Sequence, residues 1–263
     1  MTPISTQFPC SRTERFAKPA SVSWIRHEGY VVLDTPTCRF SSFNHRLELD
    51  HPPTSETLTG WFDRWRHHHG GKDIGYIYLT FEQGTEWVSF PLPDGVSSDP
   101  LTCLVLESPM PERPLPGGYE FGFLQNDHDW SALEGLTDVV NGGHSEDDKA
   151  YWSWYHGGLR ERTTRDQGAW AGVWQDGLLV GAGGLFWDAR EARFQSVQTH
   201  PAHRRRGVCS ALLRGWVAHW EGRAGDAMGS VMIAATTDSD IERLYCGLGF
   251  APCSYFYTLG TTT

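Results

Sequence analysis

An extended run that stops at Pro201, a turn of three consecutive arginines closed by Gly207, and an apolar helix starting directly afterwards constrain this chain more than any other stretch of it. Residues 192–199 read as a strand, and Pro201 ends it because proline has no N–H to give to a ladder. From Arg206 onward, Val208, Leu212, Trp216 and Trp220, flanked by Ala211, Leu213 and Val217, form a wide apolar stripe at helical spacing. Such a stripe belongs on a sheet. Residues 231–235 are continuously apolar, as a strand buried on both faces requires. The order of these elements predicts an α/β (α+β) protein, a mixed sheet flanked by helices.

The remaining elements fit that class. In the second half, residues 119–124 predict a strand, 129–140 a helix, and Ser145-x-x-Asp148 a capping-box start for a helix through about residue 162. Residues 169–174 and 178–187 predict a hairpin across Asp176-Gly177. Residues 238–247 predict a short helix and 255–259 a last strand. The first half predicts strands at 30–33, 43–49, 74–81 and 103–106, with an amphipathic helix over 55–66. Pro109, Pro111, Pro114, Pro116, Gly117 and Gly118 cannot continue a helix or a central strand, and they divide the chain into residues 1–117, an N-terminal α/β domain, and 118–263.

At 263 residues the chain is long enough for one or two domains, and its 12 Trp and 13 Phe supply a core. Its longest nearly apolar run, residues 177–187, is far short of the ~20 residues that span a bilayer, and residues 1–16 lack the apolar stretch of a secretory signal. No membrane association is expected. The six cysteines are scattered without a Cys-x-x-Cys pair, which suits the cytoplasm. A formal net charge of −10 argues against a nucleic-acid partner and favours a cationic substrate such as an amine. His67, His68 and His69 read as a solvated helix C-terminus, since three adjacent histidines cannot all aim at one metal from a regular helix; no metal is expected.

Chemistry concentrates in the opening segment. Free N–H groups at the start of the helix after Gly207, with the positive end of its dipole, favour a phosphate or pyrophosphate. The plainer reading is a solvated basic turn. Other phosphate motifs fail: no Gly-x-x-x-x-Gly-Lys-[Ser/Thr] exists, and Gly181-Ala182-Gly183-Gly184 meets Phe186 where a dinucleotide fingerprint needs Gly or Ala.

Arg204-Arg205-Arg206-Gly207-Val208-Cys209 resembles the Arg/Gln-x-x-Gly-x-Gly/Ala motif of the GNAT superfamily of acyl-CoA N-acyltransferases, departing from it at Cys209. Asp238-x-x-Ile241-x-x-Leu244-Tyr245-x-x-x-Gly249-Phe250 is similar to that family's second signature. The match covers about residues 119–259. Within 1–117, the strand, Pro-Pro-headed helix and strand order is similar to the degenerate first half of tandem members.

The resemblance implies a centrally splayed sheet with acetyl-CoA as co-substrate. The backbone of Val197, Gln198 and Thr199 would pair with the pantetheine arm. Amides from Arg205 through Ser210, including Arg206, Gly207, Val208 and Cys209, would hold the pyrophosphate, with charge added by Arg204 and Arg206. An amine-bearing small molecule, peptide or protein would attack the thioester directly, and Tyr245 would protonate the departing thiolate. The plainer reading of Tyr245 is a core aromatic. Where members often place Glu as general base, this chain has Ser196 flanked by Gln195, so Glu191, His200 or a carboxylate acting through water remain as candidates and no base is assigned. The acceptor site would be framed by residues 126–162, where Asp127, Asp129, Glu146, Asp147 and Asp148 either attract an amine or complement helix dipoles. Trp152, Trp154 and Tyr155 either wall that site or face the core. Cys209 and Cys246 read as packing residues. Two alternatives stay open: an acyl-CoA sensor without catalysis, and a transferase using a different activated acyl donor.

Overall fold

Asp176 and Gly177 both take positive φ, 49° and 79°, the type I′ geometry that matches strand twist in a two-residue hairpin. They join β7 (Gly168–Gln175) to β8 (Leu178–Trp187) as the Asp-Gly pair predicts. The computed structural model describes residues 8–35, 44–72, 74–84, 92–112, 114–115, 117–143, 145–224 and 229–262. Phe43, at the start of one expected strand, lies outside them.

The first half comprises α1 (Pro9–Glu14), β1 (Ser23–His27), β2 (Tyr30–Asp34), β3 (Arg46–Leu49), α2 (Leu58–His69), β4 (Tyr76–Gln83) and β5 (Ser97–Leu106). The second adds β6 (Tyr119–Phe123), α3 (Asp127–Val140) and α4 (Glu146–Thr164) before the hairpin, then β9 (Glu191–Thr199), α5 (Val208–Ala224), β10 (Ser230–Thr236), α6 (Asp240–Cys246) and β11 (Phe250–Thr262). The described strands form one sheet in the order β1-β2-β3-β4-β11-β5-β10-β9-β8-β7-β6. The mixed α/β class is as expected. Two parallel pairs, β3 with β4 across α2 and β9 with β10 across α5, lie symmetrically about the antiparallel pair β5 and β11. Each half thus inserts its last strand next to the other half: β11 pairs with β4, and β5 pairs with β10.

Both faces of the second half are covered. Val208, Leu212, Trp216 and Trp220 of α5 pack with Val173, Val180 and Leu185, while Leu133 and Leu136 of α3 and Leu159 of α4 pack with Trp170, Leu179, Ala182 and Phe186. Both caps on that side form as capping boxes, Asn126 with Asp129 and Ser145 with Asp148. The first half buries Leu58, Phe62 and Trp65 of α2 on Leu47, Ile77, Leu79 and Tyr257.

The histidine run differs from expectation. His67 is exposed, but His69 is 1% exposed, tilted against Trp65 and His45, and the His68 Nε2 lies 3.0 Å from the Tyr30 hydroxyl. One side of the last turn of α2 packs against β2 and the segment leading into β3, so it is only partly solvated. No helix among the described residues is long and apolar enough to cross a membrane.

Candidate functional site

β9 and β10 run parallel but pair only over Glu191, Ala192 and Arg193 with Ser230, Val231 and Met232. Beyond Arg193 they part. On the β8 side the register slips between Ala182 and Gly184, and Ser196 takes a φ of 49°, so one extra residue bulges and re-aims the strand. Gly183 permits the close approach: a Cβ there would sit 3.1 Å from Val197 Cγ2. The edge of residues 194–199 that faces β10 is therefore unpaired, a site where an extended ligand can add as a strand.

The strand runs into the arginine turn. Pro201–His203 form a 3₁₀ turn whose first amides are fixed by His200, with Nδ1 accepting from Ala202 N at 3.2 Å. Arg205 and Gly207 have φ of 61° and 82°, and such left-handed residues turn successive amides toward one side. The first α5 bond runs from Ala211 N to Gly207 O at 2.9 Å, which leaves the amides of Val208, Cys209 and Ser210 without an acceptor inside the helix. A cavity of about 780 Å³ lies along this path, lined by Val197, Gln198, Thr199, Arg204, Arg205, Gly207, Val208, Cys209 and Ser210, and across from them by Leu244 and Tyr245 of α6. Arg206 is exposed and is not part of that lining. Free amides, a helix N-terminus and two arginines suit an anion.

Tyr245 is 4% exposed, on a helix capped by Ser239, whose side chain accepts from Glu242 N. Burial pushes its phenol well above the usual range, so the hydroxyl keeps its proton and is able to donate it. Cys209 is likewise pushed up, to about 12, by burial; it is no thiolate. Tyr245 and Val197 also line a second cavity of about 370 Å³ on the other side of the splay.

That second cavity was not foreseen. Its wall is completed by Gln195 and Ser196 and by Glu14, Lys18, Arg46 and Arg193, three of them from the first half of the chain. Glu14 lies 3.3 Å from Lys18 Nζ and 3.0 Å from Arg46 Nη2. Burial works against the Glu14 charge, but Arg46 and Lys18 outweigh it and hold the carboxyl well below its usual range. Burial lowers Lys18. The only local hint was Arg193, a charge between the apolar Ala192 and Phe194.

Several expected participants are occupied elsewhere. Glu191 takes an ion pair from Arg12, Nε to Oε2 at 2.6 Å. Asp127 pairs with Arg160 at 2.6 Å and Glu146 with Lys149 at 3.1 Å, all exposed; Asp129 and Asp148 are caps, and Asp147 sits exposed in the first turn of α4. Tyr155 is buried and accepts a hydrogen bond from Gln195 Nε2 at 2.5 Å, so it braces β9 from the α4 side. Trp152 and Trp154 pack beside that cluster.

Among the described residues, two side-chain groups have metal-compatible spacing. Asp34, His45 and His69 present atoms within 4.8 Å of one another, as do Cys10, Glu82 and Cys103. In the first, the Lys72 ammonium sits on Asp34, supplying the positive charge that a cation would. In the second, Glu82 already accepts from Cys10 N and Ser11 N, and burial raises the Cys103 thiol.

Against known proteins, residues 130–250 match the model of the acetyltransferase (GNAT) family. No curated protein matches the sequence. Among solved structures, a functionally unknown conserved protein from Staphylococcus epidermidis aligns with a TM-score of 0.69 at 10% identity, over 91% of this chain and 94% of that one. A GCN5-related N-acetyltransferase from Kribbella flavida aligns at 0.61 and 13%, over 99% and 96%. A tandem GNAT protein from the clavulanic acid biosynthesis pathway aligns at 0.61 and 14%, over 97% and 88%. At these identities the likeness is one of fold, and it extends across both halves.

Proposed function

On the premise that residues 130–250 match the acetyltransferase (GNAT) family, we propose that this chain is an N-acyltransferase carrying an acetyl group from acetyl-CoA to a primary amine. The observation that supports this most is the continuity of the unpaired β9 edge with the free amides of the arginine turn, with Tyr245 lining the cavities on both sides of the splay.

In this reading the backbone of Val197, Gln198 and Thr199 pairs with the pantetheine arm of the co-substrate, and the amides of Arg205 through Ser210 take its pyrophosphate. Arg204 and Arg205 add charge from the groove wall; Arg206 acts at longer range from its exposed position. The acceptor enters from the second cavity. Its amine nitrogen attacks the thioester carbon, the C–S bond breaks, and the thiolate takes the proton of the Tyr245 hydroxyl; the amine proton leaves to water, and solvent restores the phenol. Residues 118–263 supply the groove, and residues 1–117 complete the acceptor side.

A second reading, binding of acyl-CoA without turnover, is favoured by one observation: Ser196 occupies the bulge and Glu191 is committed to Arg12. Thiol release from acetyl-CoA over a panel of amines, paired with calorimetric CoA binding, separates the two. Thiol release matched by amide formation supports the transferase; binding with no release on any amine supports the sensor, and release only with longer acyl-CoAs points to a different donor.

A further inference from the structure

We infer that the second cavity binds the carboxylate of its acceptor, so that the substrate is a small molecule bearing both a primary amine and a carboxylate. This rests on the transferase reading and names its substrate class.

Three cations, Lys18, Arg46 and Arg193, line the cavity, against one carboxylate among the described residues, Glu14. Glu14 is already shared between Lys18 and Arg46. Arg193, 6% exposed, has no acid within ion-pair distance among the described residues. Its Nη1 donates to Cys10 Sγ at 2.9 Å, Thr13 Oγ1 at 3.3 Å and Cys10 O at 3.4 Å, none of them a carboxylate, and its Nε is buried without an acceptor. Glu14 attracts Arg193 only from beyond ion-pair distance, so an arriving carboxylate would add the charge-assisted hydrogen bonds that this buried guanidinium lacks.

Neighbouring acids do not fill the gap. Glu48 approaches Arg46 at 3.6 Å, and burial raises it to about 7, so near neutrality it carries only part of a charge. Glu82 is turned to Cys10 N, Ser11 N and the Ser254 hydroxyl. The same cavity is also lined by Val197 and Tyr245, where the reaction is placed. A volume of about 370 Å³ is at the small end of ligand pockets, the scale of an amino acid. An amine at Tyr245 and a carboxylate at Arg193 span it.

The test compares wild-type kcat/KM with acetyl-CoA for a series of α-amino acids and for their matched carboxamides, and measures by calorimetry how each pair binds the CoA-loaded protein. The free acids should exceed the amides by at least about tenfold in both, since a site built around a buried charge rejects a ligand that leaves it unpaired. Arg193→Gln should abolish that preference; because Arg193 is buried, Lys18→Met serves as a second variant and should weaken it with CoA affinity retained. Thiol release equal for acids and amides overturns this inference and leaves the transferase reading intact. Carboxylate-selective binding with no thiol release on any amine contradicts the transferase and supports the cavity assignment.

Discussion

The motif singled out Tyr245 by its spacing to Gly249-Phe250, and its burial matches the core-aromatic reading; its position at two cavities was not legible. Replacing it with Phe keeps the ring and removes the donor. Tyr245→Phe should lower kcat by about 100-fold while leaving the acetyl-CoA Kd unchanged; unchanged turnover in a steady-state assay would remove the acid role. Glu48 had no sequence signature at all, since its cost comes from burial, with Glu14 adding to it and Arg46 offsetting part of it. Burial holds it at about 7 against an ordinary 4.5. Between those values the folded chain binds more protons at this site than the unfolded chain, so stability falls as pH rises through the window and stays reduced above it. Glu48→Gln should therefore stabilise the protein above about pH 7 by up to about 3 kcal/mol, with the gain vanishing below pH 4.5, as denaturant unfolding at several pH values would show. A gain that did not depend on pH would contradict the account.

At the scale of elements, the best-read parts were those whose instructions are local: the Asp176-Gly177 turn, the cap at Ser145, the strand stop at Pro201 and the stripe of α5. α1 and β1 were missed. α1 is only six residues long, and its first amides are satisfied by Glu82 rather than by a local cap. β5 was read as starting at Cys103 because Ser97, Ser98, Asp99 and Pro100 are poor strand formers, yet β11 pairs with all four. The same tertiary neighbour explains why β11 reaches from Phe250 to Thr262, well past the expected strand. The contact between β8 and the start of α5 is a specific dependence of this kind: a Cβ on Gly181 would lie 2.5 Å from Val208 Cγ1. Gly181→Ala should push the first turn of α5 off the sheet, costing about 1–3 kcal/mol and weakening CoA binding more than Tyr245→Phe does. Calorimetry on the two variants checks the order, and wild-type affinity in Gly181→Ala would contradict the placement of the groove.

Across the whole molecule, net charge does not describe the charges around the cavity beside Tyr245. The chain totals −10, but acids of residues 126–162 are spent on caps and surface pairs, while the charged residues lining the cavity beside Tyr245 are three cations and one carboxylate. The groove was readable because Val197 through Ser210 are contiguous in sequence. The cavity was not, because Glu14, Lys18, Arg46 and Arg193 meet only after the exchange of β5 and β11 joins the halves into one sheet. The central claim is that the arginine turn and the splayed strand together hold acyl-CoA. A crystal structure of the complex with CoA tests it most directly. The account predicts the diphosphate within hydrogen-bond distance of the amides between Arg205 and Ser210 and the pantetheine against Val197, Gln198 and Thr199; CoA bound elsewhere, with this groove empty, would contradict it.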